Sequence, residues 1–204
     1  MTTFSGSEIL SGRGHLAALR SALVQLDREA ERLHAWGQRL ARVLAGGGRL
    51  LVAGNGGSAA QAQHLTSELV GRYRDDRIPL SALALHAESS SYTAICNDYG
   101  GEQGFSRQVL AHGRPGDILL ALSTSGRSPN VVAAIQAASR CSLETWALTG
   151  PIPNPVALIA DEAFCVDAPA AATVQEVHQV AIHLVCAAVD VTLGVCEPAR
   201  ESAE

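Results

Sequence analysis

Residues 50–58 read Leu-Leu-Val-Ala-Gly-Asn-Gly-Gly-Ser, an apolar run that breaks into glycines and a serine just before a helical pattern begins. Strand, small-residue turn and helix start, in that order, aim free backbone N–H groups at an anion. Glycine lets the main chain come close, and serine or threonine hydroxyls add donors. A second passage of the same kind spans 118–128, Ile-Leu-Leu-Ala-Leu-Ser-Thr-Ser-Gly-Arg-Ser, and its turn is nearly all hydroxyls. Either one alone also suits an ordinary loop. The pair points to a sugar-phosphate site.

Working outward, apolar residues recur at helical spacing from about 7 to 44, including Ile9, Leu10, Leu16, Leu19, Leu23, Leu26, Leu33, Leu40 and Val43, until Gly46-Gly47-Gly48 stops the pattern. The sequence predicts strands over 49–53, 79–85, 117–122, 144–148 and 163–166. It predicts further helices over 58–73, 102–111, 129–140 and 173–195. Continuous apolar strands alternating with helices require a parallel sheet covered on both faces. Ligands of such sheets sit beyond the carboxyl ends of the strands, where both turns fall. Pro151 to Pro155 reads as a loop inside one domain spanning 1–204, with a helical segment over about 7–45 and an α/β core over about 49–196. The last helix is apolar on several sides (Val177, Val180, Ala181, Ile182, Leu184, Val185 and Ala187 to Val189), so either other subunits or a large internal core must cover it.

Apolar residues make up 47% of the 204 and aromatics only 4%, which leaves the core to Ala, Val, Leu and Ile. The net charge of −5 gives no basic footprint for nucleic acid. All fifteen basic residues are arginine, so neither a phosphate clamp nor a Schiff base can use an ammonium group. Five cysteines without CxxC spacing (Cys96, Cys141, Cys165, Cys186, Cys196) read as small hydrophobes in a reducing compartment. With no signal-like start and no run of membrane-spanning length, a cytoplasmic protein is expected.

Three segments carry side chains suited to chemistry. His64, Glu68 and Arg72 are four apart and so share one face of a predicted helix. That face is either a solvated stripe with a Glu68–Arg72 ion pair, or a metal or acid–base pair with an anion contact looking onto the ligand. Near the other end, His183 sits in an apolar stretch and needs a partner or a task. Gln175 and His183 lie roughly 12 Å apart along a helix axis, so they meet one ligand only if Gln175 precedes the helix or different subunits contribute. Asn97-Asp98, before Gly100-Gly101, is a turn or an acceptor of sugar hydroxyls.

Taken together, GNGGSAAQAQHLTSELVGRY (54–73), AICNDYG (94–100), GDILLALSTSGRSPNVV (116–132) and VQEVHQVAIH (174–183) resemble the sugar isomerase (SIS) domain family, and within it the branch that isomerises sedoheptulose 7-phosphate. Their order and separations fit across about residues 8–195. The resemblance implies a three-layer α/β sandwich with a five-stranded parallel sheet, assembled as a homotetramer with active sites between subunits. It implies an aldose–ketose isomerase in nucleotide-heptose biosynthesis, with Glu68 and His183 in proton transfer. It implies that Ser123, Thr124, Ser125 and Ser128 hold phosphate, and that Asn55, Gly56, Gly57, Ser58, Arg72, Asn97, Asp98 and Gln175 line the sugar. It also implies zinc on His64, Glu68, Gln175 and His183. The chain departs from the family pattern at Gln61, Arg127, Thr173-Val174 and the 151–155 loop. Two alternatives stand beside this reading: an isomerase of another sugar phosphate, and a non-catalytic SIS relative that binds the replication initiator. The second lacks the residues matching Glu68 and His183.

Overall fold

The computed structural model describes residues 12–195. The predicted start of the first helix, with Ile9 and Leu10, and Cys196 lie outside them. In chain order the elements are α1 (Gly12–Arg28), α2 (Ala30–Ala45), β1 (Leu50–Gly54), α3 (Gly57–Val70), β2 (Ala82–Ala84), α4 (Ser89–Tyr99), α5 (Gln103–His112), β3 (Ile118–Ser123), α6 (Pro129–Arg140), β4 (Glu144–Thr149), α7 (Pro155–Ile159), β5 (Glu162–Cys165) and α8 (Ala171–Thr192). The five strands form one parallel sheet in the order β2-β1-β3-β4-β5.

Alternation along the strands sends side chains to two separate cores. Leu50, Val52, Ile118, Leu120, Leu122, Trp146 and Leu148 face the layer built by α1, α2, α3 and α8. Leu51, Ala53, Leu119, Ala121 and Ala147 face the layer that holds Phe105, Val109, Val131 and Ile135. Because both faces are covered, the central strands read as unbroken apolar runs. The first core has an aromatic centre despite the low aromatic content: Trp36 and Trp146 stack at 4.8 Å with 13° between planes. Their indole N–H groups donate to Glu162 and Glu144 at 2.7 and 3.0 Å, which satisfies the polar edge of each ring.

The structure also resolves what covers α8. Val177, Ala181, Ile182, Val185, Ala188 and Val189 are buried within the chain, and Gly37 of α2 packs so closely that a Cβ there would strike Ala188. The internal core therefore covers most of the helix, leaving Val180 exposed and Leu184 and Ala187 half-buried. Cys186 is buried, while Cys96, Cys141 and Cys165 are half-buried free thiols. No helix among the described residues is long and apolar enough to cross a membrane.

Candidate active site

Strand order places the two anion turns side by side. From β1 the chain leaves toward β2 on one flank, and β3 returns on the other, so β1 and β3 flank the switch point where α/β sheets bind ligands. Gly54 pairs in register with Leu122. Beyond them, Asn55 and Asn130 exchange carboxamide hydrogen bonds at 2.9 Å and join the first turn to the start of α6.

Each turn has a local cause. Gly56 takes φ +54°, a left-handed conformation that glycine adopts without a Cβ clash, and α3 starts at the next residue. In the second turn Ser123 Oγ accepts the Gly126 N–H at 3.1 Å, and Ser125 Oγ accepts that of Arg127 at 3.2 Å. Ser128 Oγ lies 3.2 Å from Ser123 Oγ. Serine oxygens that accept backbone N–H bonds keep their own hydrogens for donation, so the turn still presents hydroxyl donors to an anion. Gly126, at φ +60°, passes so close to Asn154 that a Cβ would overlap its carboxamide. The Arg127 guanidinium reaches the Pro153 carbonyl at 3.3 Å, tying two of the departures from the family pattern together.

The titratable cluster forms farther along α3, where that helix packs against α8. His64 Nε2 stands 2.9 Å from His183 Nε2 and 3.4 Å from Glu68 Oε1. Two imidazole nitrogens at hydrogen-bond distance share one proton between them. The Gln179 amide nitrogen, which can only donate, lies 3.2 Å from His183 Nε2. Gln179 therefore lies within hydrogen-bond reach of the His64–His183 pair, which stands beside the Glu68 carboxylate. Tyr73 packs its ring 5.6 Å from that of His183, and its phenol is held above the usual range by burial and the nearby Cys186, Glu68 and Asp190.

Several expectations need correction. Arg72 does not share the face of His64 and Glu68, because α3 ends at Val70 and Gly71 turns the chain away. Arg72 is exposed, and Glu68 pairs with His64 instead. Asn97-Asp98 is not a turn. The two residues are exposed at the end of α4, with Asn97 Nδ2 donating to Asp98 Oδ1 at 2.8 Å. Gln175 does not precede the last helix, which starts at Ala171. Helical side chains lean toward the N-terminus, and the Gln175 carboxamide accordingly lies against Gly57, at the anion end of α3. Its backbone carbonyl accepts from Gln61 Nε2 at 2.6 Å, which is how the chain uses that departure.

Two imidazoles and a carboxylate are donor types that zinc accepts. Nitrogens sharing a tetrahedral zinc stand roughly 3.3 Å apart. The His64–Glu68 spacing matches this, and the 2.9 Å between the histidines would open by a few tenths of an ångström. Among the described residues no group of three or more His, Cys, Asp or Glu stands where it could hold a metal ion without side-chain movement. The donor set fits in kind through three residues, and in one protomer Gln175 is not the fourth.

Residues the sequence reading missed are Asn130, Gln179 and Tyr73, which position Asn55 and His183. Their signal was adjacency to singled-out motifs. His178, 29 residues from Thr149 in sequence but packed against the end of β4, is the core histidine of the last helix. It is wholly buried, its Nε2 donates to the Thr149 carbonyl at 3.1 Å, and burial lowers its pKa to about 4.

Comparison with known proteins agrees with the fold and shows the family. The family model described as SIS domain matches residues 15–150. The chain is 60% identical to the phosphoheptose isomerase of Streptomyces coelicolor over 180 residues, which cover 88% of this chain and 78% of that one. It is 46% identical to that of Thiobacillus denitrificans over 189 residues, 90% and 96% of the two chains. The solved phosphoheptose isomerase of Francisella tularensis superposes with a TM-score of 0.82 at 32% identity, covering 87% of this chain and 95% of that one. The enzyme of Neisseria gonorrhoeae superposes at 0.79 with 37% identity and the same coverage.

Proposed function

This chain belongs to the SIS domain family and, within it, to the phosphoheptose isomerases, and from that membership we infer that it converts D-sedoheptulose 7-phosphate to D-glycero-D-manno-heptose 7-phosphate for nucleotide-heptose biosynthesis. The observation that carries the residue assignment is the 2.9 and 3.4 Å contacts joining His183, His64 and Glu68 across 119 residues of chain. The domain extends beyond the matched 15–150, since β5 completes the sheet and α8 supplies His183.

Moving the carbonyl from C2 to C1 requires a proton to leave C1, a proton to reach C2, and one hydrogen to pass from O1 to O2. Glu68 takes the C1 proton as base, leaving an enediolate. His183, paired with His64, takes the O1 hydrogen and, now an acid, returns it to O2, and the positive charge on the imidazole pair balances the developing oxyanion. Glu68, now a carboxylic acid whose proton exchanges with solvent, protonates C2 and returns to the carboxylate, and the aldehyde remains at C1. Ser123, Thr124, Ser125 and Ser128 anchor the phosphate, with Asn55, Gly56, Gly57, Ser58 and Gln175 along the chain, so that the reacting carbons are held in place. His64, Glu68 and His183 would be the residues to hold zinc, which would supply a positive charge that stabilises the enediolate.

Glu68 lies eleven residues beyond Gly57, about 16 Å along the α3 axis. That separation, the exposed Val180 and an α4 without a buried residue support assembly in which neighbouring subunits complete each site, with Asn97, Asp98 and Arg72 reaching across. We take the assembly to be a homotetramer in the cytoplasm. The initiator-binding alternative is not favoured, because the two curated relatives described above are named phosphoheptose isomerases and both proposed proton-transfer residues are present. The test is an NMR assay of the purified protein with sedoheptulose 7-phosphate and other ketose phosphates in deuterated water. Formation of the heptose aldose, with solvent deuterium at C2, is expected from the seven-carbon substrate. Turnover of a pentose or aminosugar phosphate alone would reassign the substrate.

A further inference from the structure

Among the described residues, one ion pair is almost wholly buried. Arg77 and Asp190 have side chains 2% and 1% exposed, with Nε 2.9 Å from Oδ1. Arg77 follows the irregular segment after α3, and its guanidinium folds back onto the end of that helix. Nη1 donates to the Leu69 and Ile78 carbonyls at 2.8 and 3.1 Å, and Nη2 donates to the carbonyl of Glu68 itself. Carbonyls in the last turn of a helix have no intrahelical partner, and the helix dipole favours a cation there. The fork of an arginine therefore fixes the backbone of Glu68 directly.

Asp190 sits on α8 seven residues after His183, two turns along the same stripe. Cys186, three residues after His183 and four before Asp190, lies between them on α8 and is buried. One guanidinium thus spans from the backbone of Glu68 to the helix that carries His183. Apolar pairs of similar volume commonly fill such a position with no loss of stability, so filling space does not by itself call for a buried ion pair here.

Resting on the proton-transfer reading above, we propose that Arg77 and Asp190 are positioning residues that set the register of α3 against α8 and hence the spacing of Glu68 and His64 from His183. Removing the pair loosens that spacing without touching the phosphate turns. A misplacement of about 1 Å at reacting groups costs on the order of 100-fold in rate.

The experiment compares wild type, Arg77→Lys, and the double variant Arg77→Met with Asp190→Leu. It measures kcat and KM on sedoheptulose 7-phosphate, the unfolding midpoint, and the imidazole NMR signals of His64 and His183 in the free protein. The double variant is expected to keep the wild-type midpoint and KM while kcat falls by 10- to 100-fold and both imidazole signals move. A folded double variant with wild-type kcat and unmoved signals overturns the proposal. If the double variant does not fold, Arg77→Lys decides it: lysine keeps the charge but not the fork, so a several-fold loss of kcat supports the proposal and an unchanged kcat overturns it. Should wild type fail to isomerise the substrate, the functional reading falls, and the imidazole signals of the variants alone decide the positioning role.

Discussion

Acid should weaken this fold through one histidine. His178 is wholly buried beneath the end of β4, with Nε2 donating to the Thr149 carbonyl and Nδ1 buried without a partner. Desolvation disfavours its charged form, so the folded pKa is about 4 against 6.5 for the exposed side chain. Above pH 7.5 the ring is neutral in both states and stability is unaffected. As pH falls through 6.5 the unfolded chain binds a proton that the folded chain refuses until about pH 4. Each pH unit in that window costs about 1.4 kcal/mol, so this residue removes about 2 kcal/mol at pH 5 and about 3 kcal/mol by pH 4. Thr149 pairs with Ser123 in the sheet, so the loss is felt next to the anion turn. The assay is urea unfolding at fixed protein concentration, at pH 8 and pH 5, for wild type and His178→Gln. Glutamine keeps a donor but does not titrate, so the variant should lose about 2 kcal/mol less than wild type between the two pH values. Equal losses in both proteins would refute the reasoning.

Three further outcomes follow from particular contacts. Gly126→Ala puts a methyl group into the Asn154 carboxamide at a left-handed φ, and should cost about 2–3 kcal/mol in denaturant titration. Leu65→Ala, at a side chain 1% exposed between α3 and the sheet, should cost about 2–5 kcal/mol with kcat retained by the folded fraction. Thr124→Val removes a hydroxyl from the turn proposed to hold phosphate without changing its shape, and steady-state kinetics should show KM raised about tenfold, the loss of one charge-assisted hydrogen bond.

All five strands were legible because a sheet covered on both faces writes itself as apolar runs, and their observed ends differ from the reading mainly by a residue or so. β2 is shorter, since only Ala82–Ala84 pairs with β1. The Pro129–Arg140 helix has the predicted bounds and starts at its first-turn proline. α4 was not legible: none of its residues is buried, so Ser-Ser-Ser-Tyr-Thr-Ala-Ile-Cys-Asn-Asp-Tyr carries no apolar stripe to read. Its signal was the cap, Glu88 accepting from the Ser90 and Ser91 N–H groups. α7 likewise announced itself only through Asn154 and Pro155 at its start. In the candidate site, spacing placed His64 with Glu68 because four residues make a helical turn. It could not join His64 to His183 or Arg77 to Asp190, contacts that depend on how two helices cross. It also carried Arg72 one turn too far, since a periodicity does not show where glycine ends a helix.

Hydrogen exchange at C1 of bound sedoheptulose 7-phosphate in deuterated water, followed by NMR for wild type and Glu68→Gln, tests the role of Glu68 without intermediates. If the carboxylate is the base, the variant binds the ketose yet neither washes out the C1 hydrogen nor forms aldose, while wild type does both. Wild-type exchange and product from Glu68→Gln would contradict it.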